Sequence, residues 1–152
     1  FFSGFLMGTV MIGISYYVQA LTVTQDVIII SIPIAIFIGA ILLANNIRDL
    51  DGDQANGRKT LAILIGRKNA IILLAAMFTT SYLLTLIFIV VGLLPLWALI
   101  TLLSIKKATD AVRGFIGKTK PIEMMPAMVA TGKTNTIYGF LLVLALLCDH
   151  FV

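Results

Sequence analysis

The sequence predicts an all-α, polytopic transmembrane helical bundle forming a single domain over residues 1–152. Three observations carry that expectation. Hydrophobic residues make up 60% of the chain and charged ones only 12%, far more apolar content than a soluble core of this length needs. The apolar residues fall into five segments separated by short polar breaks. All eleven lysines and arginines lie in two of the four intervals between segment cores.

The first segment, about Phe1–Leu21, is long enough to cross a ~30 Å hydrocarbon core at about 1.5 Å per residue. No basic residue precedes it, so it does not read as a secretory signal, and a chain that opens on Phe1 is expected to be a piece of a longer one. Thr22–Asp26 is a polar break. Val27–Ala44 forms the second span, with Pro33 and Gly39 tolerated as in other membrane helices. A polar stretch, 45–69, follows, and Ala70–Val91 forms the third span, closed by a turn at Gly92–Pro95.

The fourth segment, Leu96–Ile105, is too short to span alone. Its pattern continues through Ala108, Ala111, Val112 and Phe115 between charged residues, as one helix leaving the hydrocarbon and becoming amphipathic. Gly114, Gly117 and Pro121 are expected to end it. The fifth span centres on Ile137–Cys148 and is expected to begin near Pro126.

The cations orient these spans. Five lie between the second and third segments and six between the cores of the fourth and fifth, while the other two turns hold none. The positive-inside rule puts both basic loops in the cytoplasm, which accounts for the net charge of +4 without nucleic acid. Cys148 has no disulfide partner and reads as a packing residue. Trp97, Tyr16 and Tyr17 read first as interfacial anchors, with a tunnel lining as the sharper reading for the tyrosines. His150 reads as an exposed terminal residue, and Met124 and Met125 as packing residues.

Chemistry concentrates at the end of the second span. Three of the seven acids, Asp49, Asp51 and Asp53, fall in five residues. Polar groups beside a span are expensive unless they have a use. On a helix Asn45, Asp49 and Asp53 stand at i, i+4 and i+8, within roughly 80° of one another and about 6 Å apart along the axis. Asp51 points to the opposite face. Asn46 stays near the stripe and Arg48 lies on its edge. Two carboxylates and an amide on one stripe suit a hard cation such as Mg²⁺, which shares itself between carboxylates, water and a substrate phosphate. Arg58, Lys59, Arg67 and Lys68 stand ready for diphosphate oxygens. Gly52 and Gly57 let the chain turn back over the site.

Three other readings compete. Asp49, Asp51 and Asp53 match positions 1, 3 and 5 of a calcium loop, but Gln54 and Thr60 stand where glycine and glutamate belong. A solvated charged cap would need no ligand. A membrane cation transporter or channel would use the acids as an ion path, although the other spans carry no charge at their centres.

The stretch NNIRDLDGDQANGRKTLAILIG resembles the second aspartate-rich motif of the UbiA superfamily of intramembrane prenyltransferases. Asn45–Asn46, Arg48–Asp49, Asp53 and Gly57 followed by Arg58–Lys59–Thr60–Leu61 carry the likeness. Gly13–Gln19 and Pro126–Lys133 extend it. Within the superfamily it is most similar to the branch that prenylates 1,4-dihydroxy-2-naphthoate in menaquinone biosynthesis. Branches using 4-hydroxybenzoate or a related acceptor are the alternative.

The resemblance implies a nine-helix fold around a central cavity, of which these would be the last five spans. It implies two aspartate-rich motifs at the cytoplasmic end. No other Asn and Asp set in the chain repeats the spacing of Asn45, Asp49 and Asp53. A C-terminal fragment, inactive alone, is therefore expected. The resemblance further implies Asp49 and Asp53 as catalytic metal ligands with Asn45 beside them, and Mg²⁺ as the cofactor. Arg48, Arg58 and Lys59 would contact the diphosphate, Asn46 would orient a carboxylate, and Lys133 would meet the acceptor. The implied partners are a polyprenyl diphosphate, 1,4-dihydroxy-2-naphthoate and membrane lipid. The implied place is a prokaryotic plasma membrane, with the active site facing the cytoplasm.

Overall fold

A computed structural model describes residues 2–151. Phe1, with which the predicted first span opens, lies outside the described residues. Regular structure among those residues is entirely helical, with no strand.

The helices follow the predicted segments with instructive departures. Helix α1 covers residues 2–20, with a π-helical stretch at Phe5–Val10 before the regular Met11–Ala20. Helix α2 runs Gln25–Arg48, entered through Thr24, whose Oγ1 accepts from the Val27 amide at 3.4 Å. Two short helices follow, α3 at Leu50–Ala55 and α4 at Leu61–Ile65. Helix α5 spans Arg67–Val90. Helix α6 covers residues 96–115, and α7 runs Pro121–Phe151. Helices α2, α5 and α7 are each long and apolar enough to cross a membrane. The chain is membrane-embedded.

Helix α6 is the one continuous element the sequence suggests, but its first part, Leu96–Ser104, is 3₁₀-helical. Side chains three apart eclipse in that geometry. Ala98, Thr101 and Ser104 accordingly form one buried row. Thr101 Oγ1 donates to the Ala98 carbonyl at 2.7 Å and Ser104 Oγ to the Thr101 carbonyl at 2.6 Å. From Ile105 the helix is regular and amphipathic, as expected.

Two expected boundaries shift. Helix α7 begins at Pro121, not near Pro126, because a proline is harmless in the first turn, where its missing amide has no partner to lose. Pro126 is accommodated inside the helix. Gly114 does not end α6. It lies within the helix, and a Cβ there would sit 2.7 Å from the Ala127 Cβ, so its smallness lets α6 and α7 touch.

Helix α7 packs on both parts of α6 and on α2, and α2 packs in turn on α5 and α1. The core between them is an aromatic box. Phe37 of α2 packs against Tyr138 of α7 in a tilted pair with centroids 4.6 Å apart, and meets Phe78 and Tyr82 of α5 at 5.8 and 5.5 Å. Tyr138 and Thr85 hydroxyls pair at 2.6 Å, and Tyr82 pairs with Ser104 at 2.7 Å. Hydrocarbon offers these groups no water, so they satisfy one another.

The cation-rich ends gather at one end of this bundle. Arg67, at the start of α5, donates to the Ile47 carbonyl near the end of α2 and touches Met124 Sδ in the first turns of α7. That is the juxtaposition the charge pattern requires.

Candidate functional site

The acidic stretch sits where α2 leaves the bundle. The predicted stripe is not one uninterrupted helix, since α2 ends at Arg48 and α3 begins at Leu50. Asp49 between them has φ −92° and ψ 5°, the bridge region that many active-site residues occupy. The helical repeat nevertheless survives. The Asp49 amide donates to the Asn45 carbonyl at 2.9 Å and the Asp53 amide to the Asp49 carbonyl at 2.8 Å. Asn45, Asp49 and Asp53 therefore remain stacked at four-residue intervals across the bend.

A pair of adjacent residues explains the bend. Arg48 grips Asp49 with two parallel bonds, Nε to Oδ1 at 2.7 Å and Nη2 to Oδ2 at 2.6 Å. Neighbours on a regular helix point about 100° apart and do not face each other. The fork closes where the backbone leaves helical geometry. Its hydrogen bonds and charge hold the Asp49 carboxyl below the usual carboxylate range, with Arg58 adding a smaller pull. Arg48 also rests on the sulfurs of Met125 and Met128, which ties the acidic stretch to α7.

Asp53 is the more enclosed carboxylate, its side chain 13% exposed, and it takes Arg58 Nη1 at 3.1 Å. The chain returns to make that contact through a Schellman ending on α3. The Arg58 amide reaches the Asp53 carbonyl at 2.9 Å and the Gly57 amide the Gln54 carbonyl at 3.1 Å. Gly57 holds φ 71°, a left-handed conformation that a residue with a Cβ resists. Gly52, expected to help the turn, lies inside α3 and takes no part. Thr60 then caps α4, its Oγ1 accepting from the Ile63 amide at 3.4 Å. The run Gly57–Arg58–Lys59–Thr60 is thus a helix stop, two cations and a helix start.

Asp51 goes elsewhere. It binds Arg67 Nη2 at 2.8 Å on the side away from the stripe. The charge pattern offers Arg67 to a diphosphate. Here its guanidinium is divided between Asp51 and the Ile47 carbonyl, and its side chain is only 16% exposed.

Asn45 and Asn46 are half-buried, and their side-chain amides have no hydrogen-bond partner among the described residues. Lys59 is exposed and makes no ion pair there. No group of three His, Cys, Asp or Glu side chains converges among the described residues. The donor set on the stripe is therefore two carboxylates and an amide. All are hard oxygen donors, too few to enclose a cation alone and suited to one that keeps water or phosphate oxygens.

Lys133 lies twelve residues into α7, exposed and without an ion pair among the described residues. No hydrogen bond or ion pair joins it to the acidic stretch. Thr131, two residues before it, is buried and donates to the Ala127 carbonyl. Helical spacing instead continues the face of α7 that Arg48 meets at Met125 and Met128, through Gly132 and Asn135. Asn135 is half-buried, and a Cβ at Gly132 would meet nothing within 4 Å, so this face stays open. The signal for it was the seven- and three-residue spacing of Met125, Met128, Gly132 and Asn135.

The sequence profile of the UbiA prenyltransferase family matches residues 1–111. The chain is 45% identical over 150 residues to 1,4-dihydroxy-2-naphthoate octaprenyltransferase of Bacillus subtilis (strain 168), covering 99% of this chain and 48% of that protein. It is 37% identical over 121 residues to the UbiA prenyltransferase domain-containing protein 1 homolog of Drosophila melanogaster, covering 79% and 32%. The 1,4-dihydroxy-2-naphthoate octaprenyltransferase of Escherichia coli (strain K12) is 28% identical over 137 residues, covering 90% and 44%. The chain spans half or less of the length of these relatives. No solved structure matches.

Proposed function

The chain belongs to the UbiA prenyltransferase family, and we propose that it serves to transfer a polyprenyl group from a polyprenyl diphosphate to 1,4-dihydroxy-2-naphthoate, giving a demethylmenaquinone. The observation that carries this reading is the 45% identity along 99% of the chain to a relative bearing that activity in its name. The geometry supports it, since the two stacked carboxylates and unpartnered amides sit at the cation-rich end of a membrane bundle.

Asp49, Asp53 and Asn45 would hold Mg²⁺. When bound, that ion supplies Lewis-acid withdrawal of charge from the diphosphate leaving group. Arg48 keeps Asp49 ionised and aimed, and Asn46 steadies the same carboxylate face. Arg58 and Lys59, carried on the turn after α3, contact diphosphate oxygens, Arg58 exchanging part of its hold on Asp53 for the substrate. The apolar interior keeps water from the allylic electrophile until the electron-rich ring attacks it. Lys133 is assigned to the acceptor's carboxylate. The place of action is a prokaryotic plasma membrane, with the acidic stretch facing the cytoplasm.

The test uses the full-length protein with Mg²⁺, a polyprenyl diphosphate and single aromatic acids. Prenylated, decarboxylated product from dihydroxynaphthoate is expected. Product from 4-hydroxybenzoate alone would overturn the acceptor, and cation flux in vesicles without any prenyl transfer would overturn the class.

A further inference from the structure

A cleft runs along the bundle between α5 and α6. Its inner part is a cavity of about 440 Å³ walled by Phe78 and Leu83 of α5 and by Leu102, Ala108 and Val112 of α6, with Arg113 at its end. One turn further towards the start of α5, a second cavity of about 610 Å³ opens between Lys68 and Ile71 on one side and Ile116 and Lys118 on the other. The second cavity is walled by α5 on one side and by the last residue of α6 with the segment that follows it on the other, so the two follow one another along one groove. Together they make an apolar trough with a cationic mouth.

The mouth's charge is uncommitted. Lys68, Arg113 and Lys118 form no ion pair among the described residues. Asp110, on the same helix as Arg113, is held by Lys107 at 3.5 Å. Arg67 also borders the mouth, but it is spent on Asp51 and the Ile47 carbonyl. From Lys68 to Leu83 is fifteen residues, about 22 Å along a helix, which covers the depth of one leaflet of a ~30 Å core.

We propose that this cleft binds an anionic phospholipid, its phosphate against Lys68 and Lys118 and one acyl chain along the α5–α6 trough. Basic pockets between membrane helices at the cytoplasmic surface hold anionic headgroups by this combination, and the cavity volumes lie in the range of ligand sites, about 300–1,000 Å³. A prenyl diphosphate has related chemistry but brings a metal ion that needs carboxylates. No carboxylate is among the residues lining either cavity, and Asp51, the acid held by the mouth's Arg67, is already paired. Arg67, which lines the mouth, is the residue that holds Asp51, and neither Asp49 nor Asp53 lines either cavity. The inference does not depend on the proposed reaction.

The full-length protein in detergent, titrated with phosphatidylglycerol and separately with phosphatidylcholine, tests it. Phosphatidylglycerol is expected to raise the unfolding temperature by about 2–4 °C over phosphatidylcholine, and native mass spectrometry is expected to show its retention. K68Q/K118Q should lose both effects and K68R/K118R should keep them, so that a general folding defect is distinguishable. Thr79→Phe, which fills the trough, should lose retention with the mouth intact. Equal shifts from both lipids would overturn the proposal, as would an undiminished response in K68Q/K118Q. So would full stabilisation by inorganic phosphate alone. Stronger protection by farnesyl diphosphate, lost in K68Q/K118Q, would reassign the cleft to the prenyl substrate.

Discussion

Two polar clusters interrupt this apolar bundle, and they are built by opposite rules. The hydroxyls of Tyr82, Thr85, Ser104 and Tyr138 lie deep among four helices and are buried. Each is answered by another within the box, Thr85 Oγ1 reaching the Ser81 carbonyl as well. The acidic stretch at the end of α2 is the reverse. Its carboxylates are paired with arginines, but Asn45, Asn46 and Lys59 keep side-chain donors and acceptors that no group among the described residues uses. A closed network of this kind stabilises packing and has nothing left for a ligand. An open one at the membrane edge retains valence for a charged substrate. The contrast separates structural polarity from functional polarity more sharply than burial does, since Asp53 is itself mostly enclosed.

The largest expected effect strikes the open cluster. Asp49→Asn in the full-length protein keeps the shape and removes the charge, and prenyl transfer is expected to fall by about 100- to 1,000-fold, the range for losing one charge-stabilising group. Asp53→Asn should behave alike. Unfolding temperature should fall only modestly, by the share that the Arg48 fork contributes at Asp49 and the Arg58 contact at Asp53. A matching loss of stability would mean that the acidic stretch is a second closed network.

The closed cluster should answer in the opposite currency. Tyr138→Ala empties the centre of the aromatic box and is expected to cost about 3–5 kcal/mol of stability, read as a lower unfolding temperature in detergent. Tyr138→Phe keeps the ring and removes one hydroxyl. Thr85 still donates to the Ser81 carbonyl, so the cost should be about 0.6–1 kcal/mol. Activity normalised to folded protein should stay near normal in the phenylalanine variant.

The two clusters were also unequally legible. The acidic one is written in linear order, because its members are four residues apart and close to one another in the chain. The stripe, the opposite facing of Asp51 and the turn at Gly57 could all be read there. The bend at Asp49 could not, because it follows from a side-chain pair rather than from a backbone signal such as glycine or proline. The aromatic box joins Phe37, Phe78, Tyr82 and Tyr138 from three helices, a product of tertiary packing that no local pattern states. The same holds for the 3₁₀ start of α6. Its buried Ala98, Thr101 and Ser104 recur every three residues, but the flanking leucines on all sides hide that period. Pro121 and Pro126 misled for a related reason, since either could open a helix and only packing chose.

A smaller effect probes the joint between the clusters. Thr60→Ala removes the cap of α4 and is expected to cost about 1 kcal/mol locally. Faster hydrogen exchange at the Ile63 amide should report it. The cations Arg58 and Lys59 lie immediately before that cap, so the KM for the prenyl diphosphate should rise while the aromatic box is unaffected.

The smallest expected effect is at Asp51, and it is the most discriminating. Asp51 sits two residues from each of Asp49 and Asp53 and carries the same charge, so any reading based on acid content treats the three alike. The structure turns it to Arg67 at 2.8 Å, with its own side chain 68% exposed. An ion pair so exposed contributes at most about 1 kcal/mol, and Arg67 retains the Ile47 carbonyl when the partner is neutralised. Asp51→Asn should therefore lower stability slightly and leave prenyl transfer within about fivefold, the factor that 1 kcal/mol allows. An activity loss equal to that of Asp49→Asn would break the division of the acidic stretch into two faces. It would place all three carboxylates around one ligand, and the bend at Asp49 would then be the feature that brings the third one in.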